Sequence, residues 1–143
     1  MHQLKNFLIV LSVASFPSSV QALSVATTVE QDVTRTPLIV RGKIEKIRYA
    51  KPSEYSYDIA YVRVVRVFKS RMNNSNIKSG ALIPVLMPSI SNKYSLCGDV
   101  YYKLGAEKVW MLSYETGKGA YSYRSGAYPV EREQEVINAL KAP

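Results

Sequence analysis

The chain has one cysteine, Cys97, and one histidine, His2, and each scarcity removes a class of chemistry. Without a second cysteine there is no intramolecular disulfide, whatever the redox compartment. His2 lies inside an N-terminal stretch with the three parts of an export signal. Lys5 makes a weakly positive start, Phe7 to Ala14 is an apolar run, and Val20-Gln21-Ala22 offers small residues to a peptidase. The run is too short, and too soon broken at Pro17-Ser18-Ser19, to span a bilayer. The expectation is a signal peptide over residues 1–22 and a mature chain from Leu23 to Pro143, secreted or periplasmic, with no transmembrane segment after cleavage. Such a chain has no histidine, which rules out a Ser-His-Asp or Cys-His arrangement, an HExxH helix and a Cys/His zinc cluster. Acids are scarce too, at 11 against 19 lysines and arginines. Asp32, Asp58 and Asp99 are the only aspartates, and no pair of carboxylates has a spacing that signals acid/base work. These absences argue against an enzyme, and no cofactor or metal is expected.

What is abundant is positive charge and tyrosine. Losing only Lys5 with the signal leaves a formal charge of +7, from +8 for the whole chain. That balance favours a polyanion, such as an acidic glycan or an anionic membrane face, or an acidic protein. It equally suits a sheet whose outer face is solvated by bases. All eleven tyrosines follow residue 22, and several sit beside bases. Lys51, Tyr55, Tyr57, Tyr121, Tyr123 and Arg124 form the candidate binding set. On a small barrel, rings in the loop after the first strand and on the fifth strand can stack on a ligand while the bases hold its acids. The alternative is that tyrosines fill half-buried strand positions that suit them.

Periodicity gives mostly strand. Thr28-Val29-Glu30-Gln31 reads as a capping box opening a short helix to about Thr34. Pro37 then starts a strand, Leu38 to Arg48, whose Gly42 marks a bulge or a barrel corner. Tyr57 to Phe68 is the strongest strand. Alternation puts Ile59, Tyr61, Val65 and Val67 on one face, and Ala60, Val62, Val64 and Phe68 on the other. Apolar residues on both faces suit a closed barrel with a partly covered outside. Arg71 to Gly80 is a loop. Strands are expected at Ala81 to Met87, Val109 to Tyr114 and Ala120 to Arg124, the last two joined by a turn at Glu115 to Gly119. Gly117-Lys118-Gly119 lacks the spacing of a phosphate loop and reads as that turn. Pro129 opens a C-terminal helix with Val136, Ile137 and Leu140 on one face, and Glu131, Glu133 and Glu135 near its positive end. The fold class is all-β: a five-stranded Greek-key barrel with short flanking helices.

Four pieces occur in the order of the netrin-like module. They are Leu38 to Ile44, Tyr61 to Val64 running into Val67-Phe68-Lys69, Ser95-Leu96-Cys97-Gly98, and Leu104-Gly105 ahead of Val109 to Leu112. Over residues 28–125 the chain resembles that module, the OB-type barrel shared with the tissue inhibitors of metalloproteinases. The resemblance implies a non-enzymatic binding module, with Ser95, Leu96, Cys97 and Gly98 as a ridge against a protein partner, a protease in the inhibitors. There, a cysteine at the mature N-terminus is bound by a disulfide to the cysteine of this ridge, and its amine and carbonyl chelate the protease zinc. Here only Cys97 is present. By itself Cys97 is either a buried thiol or a link to a second chain, such as a Cys97-linked dimer. Two other readings stay open: a structural subunit of an envelope assembly, and a small glycan-active enzyme.

Overall fold

The computed structural model describes residues 27–71, 76–96, 98–123 and 126–143. The expected signal peptide, Cys97 and Arg124 therefore lie outside the described residues. The first element of the described residues is helix α1 (Val29–Arg35), opened by the expected capping box. The Gln31 amide donates to Thr28 Oγ1 at 3.2 Å, and the Thr28 amide donates to Gln31 Oε1 at 3.1 Å. At the other end of α1, Lys69 donates to the Val33 carbonyl at 2.6 Å, placing a cation where the helix exposes unpaired acceptors.

Five strands close into an OB-type barrel. They are β1 (Leu38–Arg48), β2 (Tyr57–Ser70), β3 (Leu82–Pro88), β4 (Glu107–Glu115) and β5 (Ala120–Ser122). β1 pairs antiparallel with β2 and β4, β2 with β3, and β4 with β5; a parallel contact of β3 with β5 at Val85 and Tyr121 completes the ring. Closure leaves none of these strands a long free edge. A two-residue strand, β6 (Tyr128–Pro129), pairs with β4 and leads through a 3₁₀ turn (Val130–Arg132) into α2 (Glu133–Lys141). The sequence pattern missed β6 because two residues carry no period.

The barrel is filled by Leu38, Val40, Ile44, Ala60, Val62, Val64, Ile83, Val85, Met87, Trp110, Leu112 and Tyr121. Trp110 is fully buried, and its indole N–H donates to the Gly42 carbonyl at 3.0 Å, so no polar atom of the ring is stranded. Glycine is required at 42 because a Cβ there would stand 2.5 Å from Val62 Cγ1 and 2.8 Å from the Arg63 carbonyl. The register of β1 against β2 also slips between Arg41 and Gly42, as the glycine suggested.

One expectation is corrected in β2. Strict alternation groups Phe68 with Ala60, Val62 and Val64, but the register admits an extra residue at Val65 and another at Phe68. Each bulge shifts the side-chain parity by one. Val67 therefore points into the barrel, and Phe68 lies on the outer cluster. That outer cluster is Val33, Ile39, Val109, Met111 and Val136, with Val29, Phe68, Tyr128, Ala139 and Leu140 packed around it. Through it α1 and α2 cover the outer wall of β1 and β4. The acids at the start of α2 are also ion-paired. Arg41 reaches Glu107 and Glu133 at 3.2 Å each, and Arg132 holds Glu135 at 2.8 Å.

Candidate functional site

Opposite the helices, the barrel ends in two long loops, residues 49–56 and 89–106, that are knitted by polar contacts. Asp58 is fully buried, and its two carboxylate oxygens divide between the loops. Oδ1 accepts from the Ala50 amide at 2.8 Å, and Oδ2 accepts from the Ile90 amide at 3.3 Å. A buried charge is tolerated when such donors replace water. Asn92 adds a second clasp: its Oδ1 accepts from the Ser56 amide at 2.7 Å, and its amide nitrogen donates to the Ser56 carbonyl at 3.0 Å. Asp99 adds a third, taking the Tyr55 hydroxyl at 3.1 Å and the Leu96 amide at 2.9 Å. These loops are built as a platform.

Beside the platform lies a cleft of about 270 Å³. Tyr55 and Gly98 come from the two loops, Tyr57 opens β2, Leu86 and Pro88 end β3, and Lys118 comes from the β4–β5 turn. The Tyr55 and Tyr57 rings meet edge to face with centroids 5.4 Å apart. The Lys118 ammonium lies 4.3 Å from the Tyr57 centroid, tying the turn to the start of β2 by a cation–π contact. Asp99 and Glu115 also line the cleft, and Glu115 accepts from Ser122 Oγ at 2.6 Å. The Tyr55 phenol is pushed up to about 12, mainly by burial and then by donating to Asp99. It is a fixed donor at physiological pH and not a base.

The candidate residues divide. Tyr55, Tyr57, Tyr123 and Gly98 line the cleft together. Tyr121 does not: it is 4% exposed, inside the barrel, with its ring edge-on to Tyr114 at 5.2 Å. Its expected place on an exposed face is corrected, because parallel pairing with β3 turns it inward. Tyr123 is half-buried and works largely as a strut, donating to the Val100 carbonyl at 2.5 Å and packing on Tyr102 at 5.6 Å. Lys51 is exposed on the first loop and is not among the residues that line the cleft. Ser95 is exposed and lines a separate groove with Ile90, Asn92 and Tyr101, while Leu96 stands out into solvent. Sequence reading left out Asp99 and Lys118; the first carried no spacing signal, and the second read simply as a turn residue.

No protein-family model and no curated protein matches this chain. Chemistry at the site must therefore be judged from its own groups. Among the described residues, no cluster of three or more His, Cys, Asp or Glu side chains could hold a metal ion. The carboxylates of the cleft already hold donors of the same chain. What remains accessible is part of Tyr57, 39% exposed, with a cation over its ring and two acids lining the same cleft. Among the described residues, no helix is long and apolar enough to cross a membrane.

Proposed function

We propose that this chain is an exported, non-catalytic binding module of the netrin-like kind, which holds a protein partner at the cleft between loop 49–56 and the β4–β5 turn. The observation that carries this reading is the junction of Tyr55, Tyr57, Lys118 and Asp99 around one opening. It sets a partly exposed aromatic ring, a cation and an acid within reach of a single extended segment. Mixed charge suits a peptide better than a polyanion, because Asp99 and Glu115 would repel acidic groups entering there. Export is supported by the N-terminal sequence, and the netrin-like reading by the order of the strand motifs together with the barrel topology. Protease inhibition through a chelating N-terminal cysteine has no residue here to perform it, so the purified chain is expected to inhibit zinc metalloproteinases weakly or not at all.

The test is site-specific photo-crosslinking in the producing cell, with the probe at Tyr57 and, as a control, at Thr34 on the helix side. The expected result is one protein crosslinked from position 57 only, and lost when Lys118→Glu is added. Equal crosslinking from both positions would contradict the proposal.

A further inference from the structure

The platform carries a second surface, next to the cleft, whose chemistry differs from it. Large apolar side chains stand in water on the two knitted loops, among them Ile90, which is 68% exposed, Tyr49 at 60%, Leu96 at 58% and Tyr94 at 56%. Exposure on a floppy loop would mean little, but these residues sit on a fixed frame. Asp58 holds the amides of Ala50 and Ile90 on one carboxylate, so Tyr49 and Ile90 are neighbours. The Lys93 and Tyr94 amides donate across to Ser53 and Glu54 of the other loop at 3.3 and 3.4 Å. Ser95, between Tyr94 and Leu96, shares a groove with Ile90. A rigid display of apolar side chains in water marks an interaction surface.

Cations surround this display. Lys51 and Lys93 lie exposed on the same loops, and Lys46 and Arg48 are exposed on β1 immediately behind them. The wall that follows is unusually one-signed. β1 and β2 carry seven bases against two acids, Asp58 and Glu45, and Asp58 is buried. Two like-charged pairs even face each other in register, Lys43 with Arg63 and Arg41 with Arg66. Directly opposed like charges oppose sheet formation. Arg63 is relieved by Glu45 at 2.9 Å, and Arg41 by Glu107 and Glu133, whereas Lys43, Lys46 and Arg48 form no ion pair among the described residues. On the loops Asp99 is turned toward in-chain donors, leaving Glu54 as the exposed acid.

We infer that the two-loop end docks onto an anionic lipid surface, with Ile90, Tyr94 and Leu96 entering the headgroup layer and Lys51, Lys93, Lys46 and Arg48 meeting acidic headgroups around them. A linear polyanion would satisfy the cations but leave the apolar side chains in water. A bilayer interface satisfies both.

The experiment is sedimentation of the purified chain with vesicles of phosphatidylcholine alone and of phosphatidylcholine mixed equally with phosphatidylglycerol. The expected result is binding to the anionic vesicles only, weakening as salt rises. Changing Lys51→Gln with Lys93→Gln should cost roughly five-fold for each cation removed. Ile90→Ser with Leu96→Ser should cost more than roughly ten-fold, from lost apolar insertion. Arg35→Gln with Lys141→Gln, which removes equal charge on the helix side, should cost less than about two-fold, since screening confines the attraction to charges near the membrane. All three pairs of sites are exposed, and near-ultraviolet circular dichroism checks that each variant keeps the parent's packing. Equal losses from the loop and helix-side charge variants would overturn the inference, as would an unaffected Ile90→Ser/Leu96→Ser variant. Retention on heparin without vesicle binding would replace the bilayer by a linear polyanion, and binding to neither would remove the surface altogether.

Discussion

The helix-covered wall and the two-loop end of this barrel are both ordered, but by opposite means. Under α1 and α2, Ile39, Val109, Met111 and Val136 make a small dry cluster, and the polar contacts at its margin lock two helices onto two strands. At the loop end, order comes from Asp58, Asn92 and Asp99, each spending its side chain on the backbone or side chains of another segment. Apolar burial is non-directional and hides the residues that supply it. Side-chain hydrogen bonds fix loops with little area and leave the loops' own apolar groups outside. The difference explains why the large apolar side chains of the helices face inward, while those of Ile90 and Leu96 face water. One region is held by buried apolar area, and the other by polar clasps that leave apolar groups at the surface.

The comparison is broken most severely on the helix side. Ile39→Ala empties a fully buried position and should lower unfolding stability by about 2–5 kcal/mol, read from urea midpoints at unchanged slope. Partner and vesicle binding should stay at parental levels wherever the variant is folded. Asp58→Ala strikes the other region. It takes the acceptor from two part-buried amides, at up to about 1–3 kcal/mol each, and should abolish the loop-end contacts even where the barrel remains folded. A smaller effect is expected of Tyr55→Phe, about 1 kcal/mol for one hydrogen bond to Asp99, with the cleft retained.

Alkaline pH tests both regions together. Tyr55 and Tyr101 at the loop end and Tyr128 at the helix side are each pushed up to about 12, first by burial and then by a hydrogen bond, to Asp99, Tyr49 and Asp32 respectively. Burial raises Tyr123 as well. A tyrosine ionises near 10 in the unfolded chain, so between pH 10 and 12 the folded state binds more protons. Their contribution to stability is therefore fully present below pH 10 and lost as pH rises toward 12. Tyrosinate absorbance should rise with unfolding in that window; full ionisation near pH 10 with the fold intact would contradict these environments.

Local signals were legible in the sequence. The capping box set the start of α1, Pro37 and the β-branched run set the bounds of β1, and the strand count gave the barrel. Non-local features were not legible. The bulges at Val65 and Phe68 arise from how β2 wraps against β1, so strict alternation assigned Phe68 to the wrong face. Tyr121 looked like a surface ring because its burial depends on β3, 36 residues earlier. Lys118 looked like turn filler because Tyr57, which it covers, lies on another strand. Half of the candidate site was thus visible as composition, but its assembly depends on the closure of the barrel.

The central claim is that the two-loop end is a preorganised platform held by Asp58. Native-state hydrogen exchange of the Ala50 and Ile90 amides tests it most directly. Both residues lie outside regular strands, yet both amides donate to a buried carboxylate. The account predicts that they exchange slowly, on the scale of β1 and β2 amides, and that Asp58→Ala releases them while the amides of Ile39 and Met111 stay protected. Exchange of Ala50 and Ile90 at the rate of an open loop in the parent protein would contradict it.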